Sequence, residues 1–143
     1  MRQTRRKATQ IWVGTFSSAK QFYGFIRERS DYYEKRDEME GYGQSDFIET
    51  QGESGYDHDF CEGIYSDKTL ERSSDLSISF VNSWGKEVDH RMKLVGIKTI
   101  NAGLSLGLYE PESQREGPEV RNPVSVEGDG FIFHYMGVIE FDC

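Results

Sequence analysis

Trp84, Val88, Met92 and Val95 recur at intervals of four, four and three residues, with Lys86, Glu87, Asp89, His90, Arg91 and Lys93 between them. This is the helical period, so the segment is expected to form an amphipathic helix, capped by Asn82 or Ser83 and closed by Gly96. A helix with one apolar stripe needs a surface to cover, and the sequence supplies strands for it. Ile11 to Phe16 is rich in β-branched and aromatic side chains. Ile97 to Tyr109 carries Ile100, Leu104, Leu106 and Leu108, with Gly103 and Gly107 placed where bulges or close backbone approach would use them. Phe131 to Phe141 reads as a last strand, preceded by a hairpin partner at Val124 to Glu127 and a turn at Gly128-Asp129-Gly130.

Weaker signals fill the intervals. Ser17 or Ser18 can cap a helix with Ala19, Phe22, Tyr23, Phe25 and Ile26 on one side, ending near Ser30. Tyr56, Phe60 and Ile64, four apart, predict a short helix over Tyr56 to Tyr65, and Leu76, Ile78 and Phe80 alternate with serines as a half-buried strand would. Gly41, Gly43, Gly52 and Gly55 mark the 31–55 region as mostly loop, and Pro111, Pro118 and Pro123 do the same for a polar stretch before the last hairpin. The order of elements points to one α+β domain, a mainly antiparallel sheet with two main helices and one short helix packed on it. It would span residues 10–143, after a basic tail over residues 1–9 that is expected to fray.

Only 36% of the 143 residues are apolar but 13% are aromatic, so the core must rest on Phe, Tyr and Trp. No apolar run approaches the roughly 20 residues that cross a bilayer. The basic start, with Arg2, Arg5, Arg6 and Lys7, runs into Ala8, Thr9 and Gln10 where a signal peptide needs a continuous apolar segment. Cys61 and Cys143 provide neither a disulfide framework nor zinc-ligand spacing. A cytoplasmic protein is expected.

Charge is concentrated. Asp31 to Asp75 holds fourteen acidic residues against Lys35, Arg36, Lys68 and Arg72, a balance of −10 within a chain of net charge −8. Such a surface repels phosphates, which disfavours nucleic-acid binding, and would steer a basic protein partner. The plainer alternative is an acidic surface that only keeps the chain soluble.

The densest reactive cluster is Asp57, His58, Asp59, Cys61 and Glu62. On a helix, His58 and Glu62 would lie one turn apart and could share a metal with Asp57 or Asp59, as in a small metal-dependent hydrolase. The HExxH spacing of a catalytic zinc helix is absent, so no metal or other cofactor is expected. Cys61 reads as structural, and His90 and His134 as ordinary histidines. No phosphate-binding GxxxxGK[ST] occurs. Gly103-Leu104-Ser105-Leu106-Gly107 has the letters of a nucleophile elbow, but Leu108-Tyr109-Glu110-Pro111 cannot continue as the helix that motif requires. What remains is an interleaving of Tyr42, Phe47, Tyr56, Phe60 and Tyr65 with carboxylates, a composition suited to aromatic anchors inside a charged rim. Asp46, Glu49, Tyr56, Asp57, Asp59 and Glu62 are the candidate binding residues, and no catalytic residue is assigned.

Three stretches together resemble a known family: Ile11-Trp12-Val13-Gly14-Thr15-Phe16, Tyr56-Asp57-His58-Asp59-Phe60 with Glu62, and Tyr135-Met136-Gly137-Val138-Ile139-Glu140-Phe141-Asp142. Asn101-Ala102, leading into Leu108-Tyr109, also suits the pattern. The family is the bacterial immunity protein twenty-two family of polymorphic toxin systems, and the likeness covers about Gln10 to Asp142. The Glu110-to-Gly130 stretch is longer and more polar than the family's usual link into the last strand. The resemblance implies a non-catalytic α+β cytoplasmic protein, encoded beside a toxin that it binds and neutralises. A nuclease toxin with a basic groove would match the carboxylates, which could stand in for phosphates.

Overall fold

The computed structural model describes residues 6–35, 37–39, 42–53, 61–79, 81–110, 115–116 and 120–142. One antiparallel sheet organises them. Strands β1 (Arg6–Thr15), β2 (Cys61–Leu70), β3 (Ile100–Glu110), β4 (Arg115–Glu116), β5 (Val126–Gly128) and β6 (Phe131–Asp142) lie in the order β2-β3-β1-β6-β5, with β4 paired to β3. Helices α1 (Ala19–Ile26), α2 (Tyr32–Lys35) and α3 (Asp46–Thr50) come between β1 and β2, and α4 (Val81–Val95) between β2 and β3. The α+β class is therefore as expected. Among the described residues no helix is long and apolar enough to cross a membrane.

Both faces of the sheet carry a core. Ile11 and Val13 of β1 join Trp84, Val88 and Met92 of α4, while Trp12 and the following Phe16 join Phe22 and Phe25 of α1 and Phe47 and Ile48 of α3. Alternate residues of one strand thus feed opposite cores, as the two-residue period of a strand requires. The sheet does not run straight past this point. Ile11 pairs with Gly137 but Trp12 pairs with Tyr135, so Met136 is one residue extra in β6. The bulge reverses the side on which later residues fall. Phe131, Phe133 and Tyr135 pack with the α1 core, and Met136, Ile139 and Phe141 with the α4 core. Gly137 takes φ +103°, and Arg91 of α4 donates from Nη1 to the Met136 and Val138 carbonyls at 2.9 and 3.2 Å.

Side-chain amides fasten the irregular segments. Gln10, fully inside, receives the Val120 N–H at 2.9 Å and donates to the Val120 carbonyl at 3.0 Å. Gln51 does the same to Val124, at 2.8 and 3.1 Å, where Trp12 Nε1 adds a third bond at 3.1 Å. Asn101 clasps both backbone groups of Phe16 at 2.9 and 2.8 Å. Each amide presents one donor and one acceptor, as a neighbouring strand would, so backbone that leaves the ladder is still satisfied.

Several expectations need correction. The sheet begins at Arg6, which pairs with Asp142, so Arg6 to Thr9 of the expected tail belong to β1. The helix expected over Tyr56 to Tyr65 is not formed from Cys61 onward, because that stretch is β2, hydrogen-bonded to β3 from Cys61↔Leu106 to Tyr65↔Ala102. Gly63 leaves room there for α1, since a Cβ would displace the tip of the Ile26 side chain and crowd Phe22. Tyr56 to Phe60 lie outside the described residues. Leu76 and Ile78 are buried but form no strand. A single 3-10 turn, Ser73–Asp75, precedes them, and its serines serve Asp89, which accepts from the Ser73 N–H at 2.5 Å, Ser73 Oγ at 2.6 Å and Ser74 Oγ at 2.7 Å. Phe80 lies outside the described residues.

Helix α1 is capped by Ser18, whose hydroxyl accepts the Gln21 N–H, but it stops at Ile26, short of Ser30. The 31–55 region contains the short helices α2 and α3. Helix α4 matches its stripe at Trp84, Val88 and Met92 and ends as expected at Gly96 (φ +79°), with Ile97 N–H bonded to the Met92 carbonyl and Gly96 N–H to the Lys93 carbonyl. This Schellman closure takes up Ile97, so β3 starts only at Ile100. The last hairpin forms with β5 at Val126–Gly128 and a two-residue turn, Asp129-Gly130.

The two kinds of glycine predict opposite responses. Gly24 sits in α1 with nothing near its Cβ position, so Gly24→Ala should raise the unfolding free energy by about 0.5–1 kcal/mol. At Gly137 a Cβ would meet both a positive φ and the Arg91 guanidinium, so Gly137→Ala should lower it by about 1–3 kcal/mol in denaturant titrations. Equal effects would contradict the bulge.

Candidate docking surface

Helix α1 ends at Ile26, where the backbone turns extended at Arg27, and Arg29 fastens the loop that follows. Its backbone N–H donates to the Gln44 carbonyl at 2.7 Å and its Nη1 to the Gly43 carbonyl at 2.8 Å. The guanidinium also meets both oxygens of Glu49, at 2.5 and 3.1 Å, bonds Asp46, and lies over the Tyr42 ring, 4.9 Å from its centroid. Glu49 is in turn held by the Gly43 N–H at 2.7 Å. The Arg29 guanidinium, then this N–H, keep the Glu49 carboxyl below its ordinary range. Ser45 fixes the other end by capping α3, its hydroxyl accepting the Ile48 N–H at 3.1 Å. Asp31 accepts from the Tyr42 hydroxyl and from Lys35 at 3.0 Å, and the Tyr42 bond is the main cause of its lowered pKa.

Asp46 and Glu49 are thus bound to a cation of the same chain, although the Asp46 side chain keeps 58% of its exposure. Glu62 lies on β2, accepting from the Ser79 N–H at 2.7 Å and Ser79 Oγ at 3.3 Å, and so ties that edge strand to the start of α4. Tyr56, Asp57, His58 and Asp59 lie outside the described residues. Glu62 belongs to a strand, and no three metal-ligating side chains converge among the described residues. Phe47 is buried, and Tyr65 packs on Phe22 with ring centroids 6.4 Å apart. Cys61 is half-buried against the α1 core.

Of the other carboxylates in the acidic window, Glu53 pairs with Arg121 at 3.1 Å and Asp75 with Arg72 at 3.1 Å. Glu34, Asp37, Glu38, Asp67 and Glu71 are exposed and have no ion pair among the described residues. The first three fall on α2 and the turn after it, beside Tyr33 at 61% exposure and Met39 at 48%. This combination of rings, thioether and open carboxylates was present in the sequence as Tyr32-Tyr33 and the charged run after it, but nothing there separated it from the acids that Arg29 and Arg121 neutralise.

A second feature was missed altogether. An apolar groove of about 330 Å3 opens between the end of α4 and β6, lined by Leu94, Val95, Ser125, His134, Tyr135, Met136 and Arg91. Val95, expected in the buried stripe, is 67% exposed and Leu94 is 71% exposed, because the last turn of α4 reaches past the core that Met92 closes. Burial lowers the pKa of His134.

No family model, curated protein or solved structure matches the chain.

Arg29→Ala should cost about 1–2 kcal/mol at neutral pH, since several charge-assisted bonds on a largely covered side chain are lost together. A lowered carboxylate pKa contributes stability above its unfolded value and loses it as pH falls through the folded value. The gap between wild type and Arg29→Ala should therefore shrink as Glu49 protonates, leaving the Gly43 carbonyl bond and the ring contact. Denaturant titrations at neutral and acid pH check this, and a gap that is unchanged or wider in acid would contradict it.

Proposed function

We propose that the chain is a non-catalytic immunity protein of the family it resembles, one that binds and neutralises a toxin domain encoded beside it. The observation that carries this reading is the set of open carboxylates at Glu34, Asp37 and Glu38 beside exposed Tyr33 and Met39, in a chain of net charge −8. A solvated carboxylate without an internal cation is available to a partner's lysines and arginines, whereas one already held by Arg29 must first give up that bond. The docking face is accordingly centred on α2 and its following turn. Asp46 stands nearby as a half-engaged contributor, and Glu49 and Glu62 act as internal braces. Tyr33 supplies the aromatic anchor, a rigid side chain that covers area at low entropic cost. The partner is a basic surface, and the groove of a nuclease toxin would present its cations in the density these acids match. The protection acts in the cytoplasm of the producing cell.

The test uses the C-terminal domain of the large secreted protein that this reading expects to be encoded next to the chain. Glu34→Lys, Asp37→Lys and Glu38→Lys together should weaken binding roughly tenfold or more and flatten its salt dependence, because these contacts are solvent-screened. The melting temperature should move little, since none of the three has an ion pair among the described residues and Glu34 acts on Lys35 only through space. Wild-type affinity with the wild-type salt slope would place the interface elsewhere, and failure of the unmodified chain to bind that domain would overturn the immunity reading itself.

A further inference from the structure

No further inference is drawn: the strongest candidate, the apolar groove between the C-terminal turn of α4 and β6 lined by Leu94, Val95, Tyr135 and Met136, carries nothing because nothing in the structure shows what covers it.

Discussion

From Thr9 to Gly14 every residue of β1 is buried, whichever side of the sheet it faces. A strand in that position cannot alternate apolar with solvated side chains, so each residue needs a partner suited to its own side. Ile11 and Val13 meet α4, and Trp12 meets α3 and β6. Gln10 is the polar member of the row. An amide enclosed at this depth would cost a few kcal/mol if left unpaired, yet its donor and acceptor are both used by Val120. The chain is thereby turned back over the α1 face, and Val124 is caught by Gln51 and Trp12 four residues later. The burial of β1 thus dictates the path of a segment more than one hundred residues away in the sequence.

The distribution of carboxylates follows the same logic of local satisfaction. Acids close to Arg29 and Arg121 close loops and lock α3 to the end of α1, while those on α2 and at the far end of β2 are left in water. Salt screens the second group more than it does the bidentate Arg29–Glu49 pair, whose cation is largely covered. A net charge of −8 therefore overstates what an approaching protein would meet at α3 and understates the contrast between one part of the surface and another.

How much could be read from the sequence depended on whether a residue's role was local. Helix α4 was legible because its stripe and its closing glycine lie within one continuous segment, and the β5–β6 hairpin because its turn residues adjoin its strands. Strand β2 was not, because Tyr56, Phe60 and Ile64 happen to be spaced as on a helix, and the case for a strand lies in its pairing with β3 and in Gly63 fitting beneath Ile26. The loop after α1 is held by Arg29 reaching residues 14 to 20 positions onward, which periodicity cannot register. The amides of Gln10, Gln51 and Asn101 look the same in a sequence whether they face water or replace a strand. For the candidate site the density of acids was plain, but which of them were free depended on cations supplied partly from outside the acidic window, Arg29 and Arg121, and partly from within it, Lys35 and Arg72.

Amide hydrogen exchange at Val120 and Val124 tests most directly whether the buried central strand governs the fold. Both N–H groups are bonded only to side-chain amides, outside any helix or strand. They should exchange as slowly as those of Ile11 and Val13, through the same global opening. Exchange at rates ordinary for surface loops would mean that the segment is not fastened to the central strand, and that the sheet's two cores hold without it.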